Sequence, residues 1–324
     1  MRITLRLSQE NMDRYSDPAA LRLGWQLVNL GNAALPDAAV AETDPEVLVV
    51  DAITPVSGAL IAALPHLRLI QSQGVAYNRI DCDAAAARGV YVCNNAGVNA
   101  DAVAEQAILL MLALLRQLGP AQKAVLAGEQ IGYKNRCFAA ALPELGDQHV
   151  GVVGMGAIGR ALTQRLTAFG CRVSYYSRVP VADSRGAAYL PLVELLSACD
   201  IISLHAPVKP ETLHMIGPAA LNSMKPGALL INTARGELVD QEAVCAALRA
   251  GTLGGFGADT LSPEPVEADN PLLRLPPPVL DRVVLSPHIA GLTGGSFRRM
   301  YQSIWSNLAA LEDGERPRNV VNGI

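Results

Sequence analysis

The chain of 324 residues has no excess of positive charge: 26 Lys and Arg stand against 30 Asp and Glu, for a net charge of −4. That excludes non-specific nucleic-acid binding, which needs a basic face. A local spot such as Arg298-Arg299 is too short to provide one. Cysteine is scarce and scattered, at Cys82, Cys93, Cys137, Cys171, Cys199 and Cys245, with no C-x-x-C and no histidine at metal-ligand spacing. No metal site is expected, and these residues read as small apolar side chains of a reducing cytoplasm. Long hydrophobic runs are missing too; the longest, Ala107 to Leu115, is half the length of a membrane span. The opening MRITLRLSQE has no apolar h-region or cleavage site. The expectation is a soluble cytoplasmic protein with neither a membrane nor a nucleic-acid partner.

What is present is apolar material. Half of the residues are hydrophobic and 17% are charged, enough for two buried cores. Short β-rich runs alternate with helix-like segments, the α/β pattern. Before residue 98 they are ITLRL (3–7), VLVV (47–50), LRLIQS (67–72) and GVYVCN (89–94). After it come VGVVGM (150–155), RVSYY (172–176), DIISLHAP (200–207), ALLINTAR (228–235), GGFGAD (254–259) and RVVLSPH (282–288). Continuous apolar runs fit strands buried on both faces, hence two parallel sheets, the first smaller.

Asn99–Leu118 has helical apolar spacing and can be capped by Asn99 or Asp101. It suits a dimer contact or a buried inter-domain helix. Ser296–Leu311 is a second helix, read as returning to the first domain. The domains are then residues 1–98 plus 292–324, around a central 99–291.

Gly154-Met155-Gly156-Ala157-Ile158-Gly159 matches G-x-G-x-x-G with a strand before it, a helix after it and the strand RVSYY next. That context makes it a dinucleotide site: a tight turn at 154, close approach of pyrophosphate at 156 and helix–strand packing at 159. The helix N-terminus offers its N–H groups and partial positive charge to phosphates. An acid belongs about 20 residues on, to hold the adenosine ribose hydroxyls. The sequence has Ser177-Arg178 there. Serine does not repel a 2′-phosphate and Arg178 can pair with one, so NADP is favoured over NAD, which stays possible. The alternative reading of Arg178 is a solvated surface arginine, with the loss of the acid neutral.

Three later stretches carry proton and carboxylate chemistry: INTARGELVD (231–240) with Arg235, GADTLSPEPVEADNPLL (257–273) with Glu264, and VVLSPHIAGLT (283–293) with His288. Arginine can hold a carboxylate and polarise a carbonyl. Histidine can give or take a hydroxyl proton near neutral pH, and a carboxylate beside it can fix its tautomer. Singly, Arg235 also suits a turn cap, Glu264 a solvated loop acid and His288 a satisfied core histidine. His66, His149 and His214 have no comparable setting.

Together these segments resemble the D-isomer-specific 2-hydroxyacid dehydrogenase family over nearly the whole chain. The resemblance rests on the glycine loop 154–159, T-A-R-G at 233–236, E-P at 264–265 and P-H-x-A-x-x-T at 287–293. LHAPVKPETLHMI (204–216), QGVAYNRID (73–81) and NNAGVNADAVAEQA (94–107) also resemble family segments. It implies two Rossmann- or flavodoxin-like doubly wound domains with the active site in the cleft between them, closing over substrate, usually as a homodimer.

By resemblance, Arg235 binds the 2-keto acid, His288 donates the proton and Glu264 is its partner. Besides the glycine loop, Ser177 and Arg178, the implied cofactor contacts are His205, Ala206, Pro207, Thr212, Thr233, Ala234, Asp259 and Gly291. Val75 and Ala76 would grip the substrate carboxylate with backbone N–H groups. The family loop commonly reads G-x-G-x-D; here Ala76 replaces glycine at a place read as favouring positive φ, and Asn78 replaces the acid. Pro276-Pro277-Pro278 is read as lengthening a surface loop.

The implied activity is NADP(H)-preferring reduction of glyoxylate, hydroxypyruvate or a related 2-keto acid to the D-2-hydroxy acid. The alternatives within the fold are a phosphite- or formate-type dehydrogenase, or a cofactor-sensing corepressor-like binding protein. Retention of Arg235, Glu264 and His288 together speaks against pure binding.

Overall fold

Uninterrupted apolar runs become strands whose two faces are both covered. In the computed structural model, which describes residues 1–324, the chain divides into two units, Met1–Asn99 with Leu292–Ile324, and Ala100–Gly291. Each is built on its own parallel sheet.

The first unit has β1 (Arg2–Arg6), β2 (Gln26–Asn29), β3 (Val47–Val50), β4 (Leu69–Ser72) and β5 (Tyr91–Cys93), in the order β2-β1-β3-β4-β5. One sheet face packs on helix Gly294–Glu312, where Tyr301, Ile304, Trp305 and Leu308 meet Ile3, Leu5, Val47 and Leu69. The other face packs on Val40, Leu60 and Ile61. Truncating a fully buried leucine in such a core costs about 2–5 kcal/mol.

The second unit has β6 (His149–Val153), β7 (Arg172–Tyr176), β8 (Ala188–Tyr189), β9 (Ile201–Leu204), β10 (Ala228–Asn232), β11 (Leu253–Ala258) and β12 (Val283–Leu285). Their order is β12-β11-β10-β9-β6-β7-β8. The chain runs outward from β6 through β7 to β8, then returns to β9 on the other side of β6. The crevice between β6 and β9 is thus the topological switch point where such sheets bind ligands.

Helix Ala100–Leu115 lies close under β10 and β11 because β11 is rich in glycine. A Cβ on Gly255 or Gly257 would stand 3.1 Å from Leu114 Cδ2 or 3.0 Å from Leu110 Cβ. Helices Leu118–Leu126 and Gln130–Ala140 follow, and they leave Leu126, Ile131 and Phe138 exposed. No single helix is long and apolar enough to cross a membrane.

One expectation is refined and one changes. The three prolines lie at the surface, with Pro276–Pro278 exposed, and Pro277–Leu280 is one short helical turn within that connection. Ala76 has no positive φ, nor has any residue of the segment 73–78. The loop after β4 instead turns on contacts: Ser72 Oγ donates to the Ala76 carbonyl at 2.7 Å and Asn94 Nδ2 to the Val75 carbonyl at 2.7 Å. Alanine at 76 is therefore unstrained.

Candidate active site

One row of strand register organises the second unit. Tyr176 is the ladder partner of Val153, Val153 of Leu204, Leu204 of Asn232, Asn232 of Ala258 and Ala258 of Leu285. All six residues end their strands at the carboxyl edge of the sheet. Every candidate residue in this unit lies in a segment that leaves one of these ends.

After β6 comes the glycine loop. Gly154 has φ +102, and a Cβ there would lie 2.5 Å from the His205 carbonyl oxygen of the segment leaving β9. Its N–H donates to the Tyr176 carbonyl at 2.8 Å. A Cβ on Gly159 would lie 2.1 Å from the Gly154 carbonyl oxygen, so this turn of helix must be bare. Gly156 differs: a Cβ there would meet nothing within 4 Å. No side chain caps helix Ala157–Ala168, whose N-cap is Gly156, so its first N–H groups stay free for an anion. Met155 is buried and its carbonyl accepts from Arg160 Nη1 at 3.0 Å, while Ala157 and Ile158 border the loop on its helical side.

The β7 end carries Ser177 and Arg178. Ser177 Oγ donates to the Val179 carbonyl at 2.6 Å, tying the loop back on itself. Arg178 is exposed.

Beyond β9 lies His205, whose ring Nε2 pairs with Ser203 Oγ at 2.8 Å. The residue keeps a partly exposed surface, but its ring Nδ1 is sealed from solvent and has no hydrogen-bond partner. Burial pushes the imidazole down to about 3, so it is neutral at physiological pH. Ala206 and Pro207 lead into a turn closed by Thr212, whose Oγ1 donates to the Pro207 carbonyl at 2.8 Å and accepts from Lys209 N–H at 2.8 Å. Thr212 therefore shapes this loop first.

The β10 end holds Thr233, Ala234 and Arg235. Thr233 Oγ1 is buried with no partner in the chain, an acceptor or donor awaiting a ligand. The turn is fixed by Asn232, which motif reading passed over: its Oδ1 accepts from Ala234 N–H at 3.0 Å and its Nδ2 donates to the Arg235 carbonyl at 2.8 Å. Arg235 is exposed, and its Nη1 donates to the Ala234 carbonyl at 2.7 Å. Gly236 lets the next loop close in, since a Cβ there would stand 2.2 Å from the Leu261 carbonyl carbon.

That next loop, after β11, carries Glu264, and the loop after β12 carries His288. His288 Nδ1 and Glu264 Oε1 are 2.6 Å apart. An ionised carboxylate only accepts, so Nδ1 holds the hydrogen and Nε2 is left as the nitrogen that can exchange a proton with a ligand. His288 has φ +55, a left-handed conformation that an ordinary residue adopts at a cost of roughly 1–2 kcal/mol. Asp259 holds it there: His288 N–H donates to its carbonyl, and its carboxylate accepts from Ile289 and Ala290 N–H at 3.0 and 2.8 Å and from Ser286 Oγ at 2.5 Å. Three donors already occupy this buried carboxylate, so its first role is internal. Gly291 closes the segment and the unit.

In the first unit, the loop after β4 presents Val75 and Ala76. Val75 is exposed, and the carbonyls of both residues are held by the chain.

The residues at the switch point thus fit a dinucleotide: a bare cradle at Gly156, an uncapped helix start and an orphaned hydroxyl at Thr233. Comparison with known proteins agrees. Residues 108–290 match the family model described as D-isomer specific 2-hydroxyacid dehydrogenase, NAD binding domain. The chain is 36% identical over 291 residues to a glyoxylate reductase of Korarchaeum cryptofilum, covering 86% of this chain and 83% of that one. It is 39% identical over 270 residues to a glyoxylate reductase of Thermococcus litoralis, covering 81% and 79%. Its fold superposes on D-lactate dehydrogenase with NAD+ from Lactobacillus jensenii with a TM-score of 0.84, at 27% identity, covering 99% of each chain. A nicotinamide dinucleotide is accordingly the cofactor class of the second unit. With the six strand ends in one register and a paired His and Glu among them, the chain belongs to the D-isomer specific 2-hydroxyacid dehydrogenase family, oxidoreductases acting on the CH–OH group of small 2-hydroxy acids.

Proposed function

We propose that the protein is an NADP(H)-preferring reductase of small 2-keto acids, with glyoxylate or hydroxypyruvate as first substrates and larger keto acids such as phenylpyruvate after them. The observation that carries this reading is the His288–Glu264 pair at 2.6 Å, which joins the loops after β12 and β11, β11 being the ladder neighbour of β10, which leads to Arg235. The relatives named glyoxylate reductase support the substrate class.

A reduced nicotinamide, held at the glycine loop 154–159 and by Thr233, would supply the hydride for the carbonyl carbon. The Arg235 guanidinium binds the keto acid's carboxylate and carbonyl and stabilises negative charge as it develops on the oxygen. His288 Nε2 gives that oxygen a proton, while Glu264 holds Nδ1–H and offsets the charge of the doubly protonated ring. Hydride plus proton balance the conversion to the hydroxy acid. Backbone N–H groups of Val75 and Ala76 belong to the same reading, as a grip for a carboxylate.

NADP preference rests on Arg178, exposed at the end of β7 where a ribose-binding acid would otherwise repel a 2′-phosphate. A homodimer is part of the proposal, with the exposed apolar residues Leu126, Ile131 and Phe138 as contact candidates, as is a reducing cytoplasmic setting. The test is turnover of a 2-keto-acid panel by the purified protein with NADPH and with NADH. No turnover with either cofactor sinks the reading, and product chirality checks the D configuration.

A further inference from the structure

The His288 loop is pinned by a chain of hydrogen bonds that begins on a helix remote in sequence from His288. Gln106, on helix Ala100–Leu115, donates from Nε2 to Ser286 Oγ at 2.9 Å. Ser286 Oγ lies 2.5 Å from Asp259 Oδ1. Asp259 then receives the N–H groups of Ile289 and Ala290 on its carboxylate and that of His288 on its carbonyl.

The direction of these bonds is forced. A carboxylate cannot donate, so the short Ser286–Asp259 contact requires the serine hydrogen to point at Asp259. Ser286 Oγ then has only lone pairs to offer its other neighbour, which must be a donor, and the Gln106 amide nitrogen is one. An acceptor at position 106 would compete for the same serine hydrogen and turn the Ser286–Asp259 contact from attraction towards repulsion. Asp259 therefore sets the polarity of the hydroxyl, and Gln106 holds it in place by donating to the serine lone pair, which supports the grip on the left-handed His288.

We propose that Gln106 is a positioning residue for His288, acting through Ser286 and Asp259. This inference rests on the proton-donor reading of His288 given above. Gln106 touches neither substrate nor cofactor in this scheme; it keeps the imidazole at the angle that proton transfer needs.

The test uses Gln106→Met, which keeps length and removes the donor, Gln106→Glu, which replaces the donor by an acceptor, Ser286→Ala, and Ser286→Thr, which keeps the hydroxyl. Gln106→Met and Ser286→Ala are expected to lower kcat about tenfold, the size of one hydrogen bond lost at the transition state, with cofactor Kd unchanged. Gln106→Glu should lower it further, and Ser286→Thr should restore most of it. In a His288→Gln background, Gln106→Met should have no additional effect on residual turnover, because the residue it positions is gone. Full additivity there, or an effect confined to cofactor affinity, overturns the proposal. Hydrogen exchange of the Ile289 and Ala290 amides in the protein without substrate gives a readout that needs no activity. Faster exchange in Gln106→Met with an inactive wild type would spare the relay and sink the enzymatic reading. Unchanged exchange and unchanged kcat in an active protein would sink the relay alone.

Discussion

Replacing His205 by Gln tests how a buried imidazole sits beside the glycine loop. Burial holds the ring down to about 3, against an ordinary value of 6.5. Above pH 6.5 it is neutral in both the folded and the unfolded chain, and its contribution to stability does not change. Below pH 6.5 the unfolded chain takes up a proton that the folded chain refuses until about pH 3, so stability falls with pH across that interval. At pH 5, about one and a half pH units below the ordinary value, the loss is about 2 kcal/mol at ~1.36 kcal/mol per unit. His149 titrates in the same sense, lowered chiefly by burial, with its Nδ1 at 3.0 Å from the Ala198 carbonyl and its Nε2 at 2.9 Å from Ser174 Oγ. The wild type therefore carries both slopes, and the difference from His205→Gln isolates one. Urea unfolding at pH 7.5 and pH 5 should show wild type losing about 2 kcal/mol more than the variant, whatever the variant's stability at neutral pH. With 5 histidines in the chain, the His205 ring signal can also be followed directly by NMR. Equal losses in the two proteins, or a His205 midpoint above about pH 5, would refute the reasoning.

Three further outcomes follow from the geometry. Gly156→Ala should leave folding intact, since its Cβ meets nothing, yet weaken cofactor binding, whereas Gly159→Ala should destabilise the second unit; thermal unfolding and cofactor titration on both variants separate the two effects. Ser177→Asp with Arg178→Ala should move preference towards NADH by about 10- to 100-fold, the worth of one charge-assisted hydrogen bond plus repulsion, read as the ratio of kcat/KM values. An unchanged ratio would mean that Arg178 does not meet the phosphate. His288→Gln should lower kcat by about 10²- to 10⁴-fold with cofactor Kd unchanged, measured under saturating keto acid.

What the sequence discloses depends on whether a residue's role is local. VLVV at 47–50 coincides with β3 because burial on both faces demands an unbroken apolar run, and RVSYY at 172–176 coincides with β7 with its three central residues buried. β2 and β8 escape such reading: QLVN is exposed on alternate positions and Ala188–Tyr189 is an exposed two-residue edge. The glycine loop is legible because two close approaches, at Gly154 and Gly159, need glycine at a fixed spacing around the bare Gly156. Asn232, Ser286 and Gln106 are not, since their partners lie across a turn or on another element, and nothing in an amide or hydroxyl side chain announces which backbone it will hold. Ala76 shows the reverse error, an unusual backbone inferred from a missing glycine where side-chain hydrogen bonds do the shaping.

The shared register of the six strand ends has a thermodynamic consequence. Neighbouring strands stand about 4.8 Å apart, so the loops after β7 and β12 are separated by about 24 Å along the sheet edge. Groups that far apart, without shared partners, contribute additively to free energy. On the function proposed above, the choice between two phosphorylation states of a cofactor at Ser177 and Arg178 is then expected to be uncoupled from proton donation at His288. Each can drift under selection, or be redesigned, without renegotiating the other. A residue inserted within a strand has no such freedom: it would carry one loop out of line by about 3.3 Å and turn its side chains to the opposite face.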